Sequence, residues 1–235
     1  MHARHYLPLL LAAFMAAPAP AGSPARMSPV LPEVNRHLQL GQADIDSSTF
    51  AMARAHAKLV LLGPEVQVST LFQGVPESQH EKCLRVLDSA LTEWETVLQG
   101  QVHFVRVPEG QTSNVVVRFR PSVTMKDEQV AGYVNWKRSI EKQEDGSYES
   151  KFAADVQIRV KNLDGTPMPI NAMRHAAMHE FGHVLGLDDS PREGDVMGPL
   201  DIDHPVSAPS ALEVQTVLSF RAQAQQIIDE AAVAP

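Results

Sequence analysis

The sequence predicts an α+β protein in which helices pack on a twisted mixed sheet. Three observations lead to that class. Apolar residues alternate at period two in some segments and recur at three- and four-residue steps in others. The order strand, helix, strands, hairpin, helix does not suit a two-sheet sandwich. With 44% hydrophobic and 20% charged residues, the 235 residues suit one domain with a substantial core plus attached segments.

The N-terminus, MHARHYLPLLLAAFMAAPAPAG, has a basic start at Arg4, an apolar run from about Tyr6 to Ala17, and a small-residue close at Ala19-Pro20-Ala21. The run is too short to span a bilayer and its close suits signal-peptidase cleavage. Residues 1–21 are therefore expected to be an export signal, and the protein secreted or periplasmic. A plain Ala/Pro-rich tail is the blander alternative. Ser23 to Pro32 is Pro-rich and expected to be mobile. About Ser48 to Leu62 reads as one helix ended by Gly63-Pro64, so residues 22–63 form an N-terminal extension, either a pro-segment or a helical arm, ahead of the main domain at 64–235.

From Glu65 onward, Val66, Val68 and Thr70 alternate with Gln67, Ser69 and Leu71, which predicts the first strand. Ser78 with Glu81 three residues on predicts a capping box at the start of a helix. Cys83, Leu84, Leu87, Leu91, Trp94 and Leu98 give that helix an apolar stripe, and Gly100 ends it. Val102 to Val107 and Asn114 to Phe119 have strand composition around the turn-like Pro108-Glu109-Gly110. Roughly Ala131 to Ile140 and Phe152 to Val160 predict an antiparallel hairpin with Asp145-Gly146 near its tip. Ile170 to Leu187 is then one long helix, and Ala211 to Ala231 another, with Leu212, Val217, Leu218 and Ile227 on its core side.

A net charge of -8 and the lack of a basic, aromatic-rich stripe exclude a nucleic-acid partner, and no segment is read as crossing a membrane. The single cysteine, Cys83, has no intramolecular partner. It is either a dimer bridge or a buried apolar residue, and its place on an inward helix face favours burial.

The chemistry concentrates in HEFGHVLGLDDS, which begins at His179. His179 and His183 are four apart, so both imidazoles leave one helix face a turn from each other and can converge on one ion. Glu180 sits where it can reach a metal-activated water without being a ligand. Gly186 can end the helix in a left-handed turn that returns Asp189 toward the ion as third ligand. A carboxylate oxygen is an acceptable zinc ligand, though its charge makes the ion a weaker Lewis acid than three neutral histidines would. Asp188 competes for the role, and the spacing after Gly186 favours Asp189.

HEFGHVLGLDD resembles the HExxHxxGxxH signature of the metzincin proteases, and its HEFGH-x-LGL portion is similar to the matrixin (matrix metalloproteinase) version. Met197, in Gly194-Asp195-Val196-Met197-Gly198-Pro199, resembles the Met-turn that this clan places beneath zinc. Trp94, Phe104, Glu109-Gly110-Gln111 and Val115 to Phe119 resemble the first helix and following strand of a matrixin catalytic domain. The likeness runs from about Glu65 to the C-terminus. It implies a metzincin (zincin) fold with an antiparallel edge strand, an active-site helix, a Met-turn and a C-terminal helix.

Three departures from that family stand out. The third ligand is Asp189, as in snapalysin-like enzymes. No histidine lies between His103 and His175, so the structural zinc of animal matrixins is not expected. No cysteine-containing latency motif precedes the domain. In addition, Gly198 stands where matrixins usually carry Tyr, leaving no tyrosine there to stabilise an oxyanion.

Other residues admit more than one reading. His175 with His179 is a second geometrically feasible ligand pair, but it leaves Glu180 and Gly186 without a role. The resemblance places His175 near the floor of the S1′ pocket, against the plainer reading of a hydrogen-bonded helix histidine. His204 lines the primed side of the cleft or lies on the surface, with surface favoured. Glu213 is either a distant third ligand or half of a capping box with Ser210.

The expected function is an exported zinc endopeptidase with one catalytic Zn2+ on His179, His183 and Asp189, Glu180 as general base, and Gly186 and Met197 as structural supports. Nothing in the residues supports a calcium ion. The expected partner is a protein or peptide substrate, and the enzyme is expected to be a monomer. The alternative is a non-catalytic zinc-binding or adhesion domain that retains the scaffold, against which Glu180 argues.

Overall fold

The computed structural model describes residues 27–233. The expected export signal lies outside the described residues. The elements run α1 (Pro32–Asp46), α2 (Phe50–Leu61), β1 (Glu65–Phe72), α3 (Glu77–Val97), β2 (His103–Arg106), β3 (Val115–Arg120), β4 (Val123–Met125), β5 (Glu128–Val130), β6 (Gly132–Lys142), β7 (Tyr148–Arg159), α4 (Ile170–Leu185) and α5 (Ala211–Val233).

Five strands form one sheet in the order β2-β1-β3-β7-β6. β1 pairs in parallel with β2 and β3, and β3 with β7; β6 pairs antiparallel to β7 and forms one edge. This is the mixed sheet with an antiparallel edge strand that the sequence predicts. The register places Val117 beside Val156 and Val156 beside Val134, all buried, so one face is apolar and must be covered. The alternate positions carry polar pairs, with Arg118 Nε donating to Asp155 Oδ2 at 2.6 Å and Arg120 Nη1 to Gln157 Oε1 at 3.0 Å. Helices therefore cover one face.

α3 buries Cys83, Leu87, Leu91 and Trp94 of the stripe expected of it, with Leu98 at its end, and adds Val86 and Ala90 while Leu84 is only half-buried; the Trp94 indole N–H donates to Met178 O of α4 at 3.0 Å. Cys83 is buried, and burial raises its thiol to about 11, so it acts as a core residue.

Four local features differ from the sequence expectations. The Ser78/Glu81 capping box does not form. α3 begins at Glu77 behind Pro76, with no side-chain cap, and Glu81 pairs instead with Arg85 four residues on. The segment before Ser48 contains a further helix, α1. Pro32 sits in its first turn, where a missing N–H costs nothing, and Val34, Leu38 and Gly41 are buried. α2 starts only at Phe50, after Ser48 turns the chain through φ 62°. Between β3 and β6 a short hairpin, β4–β5, turns through Lys126 and Asp127 in left-handed conformations.

Candidate metal centre

α4 carries His179, Glu180 and His183 on its cleft side and ends at Gly186, whose φ of 114° gives the left-handed cap expected of it. A Cβ there would also press on Val34 and Phe220, at 3.1 and 3.0 Å. Beyond this turn the chain brings Asp189 Oδ1 to 3.3 Å from His179 Nε2 and 3.5 Å from His183 Nε2. One ligand atom from each residue lies within 4.8 Å of the others.

The far nitrogen of each imidazole is spoken for. His179 Nδ1 meets Val196 O at 3.0 Å, and His183 Nδ1 meets Leu187 O at 2.9 Å. A carbonyl can only accept, so Nδ1 carries the proton and Nε2 presents its lone pair toward Asp189, the arrangement that metal-binding histidines adopt. Asp188 is turned elsewhere. Its carboxylate accepts from Asp189 N at 2.9 Å, and its own N–H donates to Pro29 O at 3.0 Å. The donor set of two imidazoles and one carboxylate suits zinc and leaves one position open in a tetrahedral shell.

The charges respond to one another. When Nε2 of each imidazole also carries a proton, hydrogen bonds from His179 and His183 hold Asp189 well below the usual carboxylate range, and a metal ion would take that proton's place. For His179, burial works against protonation, but Asp189, Glu180 and the Val196 carbonyl outweigh it and raise its proton affinity. The three side chains thus form a concentrated anion-and-lone-pair focus for a cation.

Glu180 is 5% exposed, and burial raises its carboxyl to about 7 against the pull of both histidines. It fits because Gly132 of β6 has no side chain: a Cβ there would stand 2.8 Å from Glu180 Cγ and 2.9 Å from Cδ. Among the described residues no hydrogen bond reaches its carboxylate.

Beneath the cluster, Met197 is buried against Gly182, where a Cβ would collide with its sulfur and lie 3.2 Å from its Cε. The turn is fixed from α5. Glu213, fully buried, accepts from Val196 N at 3.3 Å and Met197 N at 2.7 Å. The same carboxylate accepts from Ser210 N at 2.7 Å, so the capping box exists and Glu213 is committed away from the metal cluster. Gly198 has its own reason to lack a side chain, since any Cβ would strike the Arg192 carbonyl.

His175 is 1% exposed. Its Nδ1 accepts from Val206 N at 3.2 Å, which leaves Nε2–H to donate to Val196 O at 3.0 Å. It borders the cleft but points at neither Asp189 nor His183. His204 is solvent-exposed and pairs with Asp201 at 3.0 Å.

The cleft above the cluster measures about 740 Å³. It is lined by His179, Glu180, His183 and Asp189, by Gly132 to Trp136 of the edge strand, and by Met197 to Leu200. A larger hollow of about 1060 Å³, between the end of α2, α5 and the β6–β7 tip, touches none of these groups.

The family model described as Matrixin matches residues 68–208, more than half of the chain. This chain belongs to the matrixin family. The match takes in α4, the Gly186 turn and the Met-turn, and it begins only after α1 and α2. No curated protein matches the sequence. Membership makes the domain a zinc-dependent metallopeptidase at the level of the family, whose members are typically extracellular and act on protein substrates. None of this matrixin's described helices is long and apolar enough to cross a membrane.

Several contributors were not singled out from sequence. Gly132 and Gly182 show there only as glycines inside a strand and a helix, a pattern that often marks close approach of another group. The second role of Glu213, and the Val196 carbonyl that anchors two histidines, leave no sequence signal.

Proposed function

We propose that this matrixin is an exported endopeptidase in which His179, His183 and Asp189 hold zinc and Glu180 is the general base. The observation that carries the reading is the Glu180 carboxylate: buried, without a protein partner, and open to the same cleft as the His-His-Asp cluster. A carboxylate kept in that state has no structural use, which also speaks against a non-catalytic scaffold.

When bound, zinc supplies Lewis-acid polarisation of the scissile carbonyl and lowers the pKa of water. The chain does the rest. Glu180 takes the proton from the attacking water and passes it to the leaving amine. The carbonyls of Val196 and Leu187 keep both imidazoles in the tautomer that leaves Nε2 free. Among the described residues the outer edge of β6 has no strand beside it, so an extended substrate adds there as a further strand. Recognition then falls largely on backbone groups, and many sequences are accepted. Residues 1–21 direct export, and residues 64–235 form the catalytic domain.

Glu180→Ala tests the assignment. The variant should bind zinc with unchanged stoichiometry and lose casein hydrolysis by a factor of at least ~100, the range general-base removal commonly gives. Normal cleavage by that variant would refute the role of Glu180. Wild-type hydrolysis should stop with a chelator and return with added zinc.

A further inference from the structure

The N-terminal hairpin of α1 and α2 lies outside the stretch matched to the family, yet it reaches the metal cluster by two routes. The first runs through β6. Glu33 Oε2 of α1 accepts from the Trp136 indole N–H at 2.7 Å and from Arg138 Nη1 at 3.1 Å. The Trp136 ring stacks beside His183, with centroids 6.0 Å apart and planes 24° from parallel. Arg138 has a fully buried side chain. It donates through Nη2 to Val184 O, in the residue after His183, at 3.1 Å and through Nε to Leu59 O of α2 at 3.3 Å. Glu33 is the one carboxylate within ion-pair distance of this guanidinium among the described residues.

The second route runs through the Gly186 turn. Leu31 N donates to Gly186 O and Asp188 N to Pro29 O, both at 3.0 Å, and Val30 bridges Leu187 antiparallel. Residues 29–31 therefore flank the segment that aims Asp189. Val34, Ala53, Ala57 and Val60 join the main core, so the hairpin cannot lift away without exposing it.

We propose that Glu33 is a positioning residue of the metal centre. Through Trp136 and Arg138 it fixes the indole against His183 and the end of α4, and the arm of residues 29–61 is thereby a permanent part of the catalytic unit and not a segment to be shed. The inference rests on His183 being a zinc ligand. Outer partners of metal-binding histidines commonly change metal affinity by ~10–100-fold when removed, and the arm acts one step behind them: Val30 pairs with Leu187, whose carbonyl meets His183 Nδ1, and Glu33 holds the indole stacked on His183.

The test is zinc affinity of the full mature chain, measured by competition with a chromogenic chelator, for wild type, Glu33→Gln, Trp136→Phe, the double variant and Asn35→Ala, an exposed site on the same helix. Trp136→Phe keeps one aromatic ring at this position and removes the N–H together with the second ring of the indole. Each single variant should weaken zinc binding by roughly 10-fold, the double should be no worse than the poorer single because both cut one tether, and Asn35→Ala should match wild type. A brace with only a general structural role would lower the melting temperature and leave zinc affinity unmoved. Affinities within about 2-fold of wild type for both singles would overturn the proposal. Should Glu33→Gln fail to fold, Trp136→Phe carries the same comparison. His183→Ala is run alongside: if it retains wild-type affinity, the ligand assignment fails and not the brace. A protease site inserted after Gly63 and cut in the folded protein should leave the arm co-eluting with the domain. Release of the arm with zinc affinity intact would also overturn the proposal.

Discussion

Gly132→Ala adds one methyl group opposite the Glu180 carboxylate, the proposed general base. Gly132 is not in the left-handed region, so alanine meets no backbone strain and the effect is steric. The new Cβ would stand 2.8 and 2.9 Å from Glu180 Cγ and Cδ, with Oε1 closer still, where ordinary contact begins at 3.4 Å. The side chain must therefore withdraw by on the order of 0.5–1 Å, a displacement that costs up to ~100-fold when it falls on a reacting group. The three atoms nearest the methyl all belong to Glu180 and none to His179, His183 or Asp189, so metal binding should persist. Steady-state hydrolysis of casein or a quenched peptide, with zinc stoichiometry measured on the same preparation, should show kcat down by ~10–100-fold and one zinc retained. If Gly132→Ala turns over within about 2-fold of wild type, Glu180 does not act from this seat and the general-base geometry is wrong.

Gly182→Ala should destabilise the fold. Alanine gains about 1 kcal/mol of helix propensity, but the collision with the Met197 sulfur is overpacking of ~1–3 kcal/mol. The net effect should lower Tm by a few degrees in a thermal melt, whereas an unchanged or higher Tm would show that Met197 swings away freely. Acid should also weaken the N-terminal arm. His37 and His56 meet Nδ1 to Nδ1 at 2.9 Å, burial lowers the first to about 4 and lowers the second, and both ordinarily titrate at 6.5. The unfolded chain then binds more protons, so their contribution is intact above about pH 6.5 and is lost as pH falls toward 4. A His37→Gln variant should show a shallower loss of Tm across that window, and an identical slope would assign the acid sensitivity elsewhere.

Much of the fold follows from periodicity. The β6–β7 hairpin, the parallel strands and the three long helices of the main domain come from alternation and three- and four-residue spacing, and tertiary packing agrees with each. The misses share a cause. α1 begins in a Pro-rich stretch and carries glutamines and aspartates, so its sparse stripe of Val34, Leu38 and Gly41 gives little local signal; it is held by packing on α2 and α5. The Ser78 cap is locally reasonable, but Pro76 already sets the chain direction into α3. At the site, the grouping of His179, His183 and Asp189 is legible because it depends on helix pitch and one left-handed turn. The seats of Glu180 and Met197 depend on glycines whose neighbours come from other elements, and no spacing rule reports that.

Glu213 binds the Met-turn to the last helix of the chain, while Pro29 and Leu31 bind the Gly186 turn to the first described residues. Two amide groups under the cluster, those of Val196 and Met197, thus depend on Glu213 for their partner. The metal pocket is therefore braced only by a chain that reaches Glu213, and a chain that stops short of it would carry the full HEFGH motif with the Met197 turn unsupported.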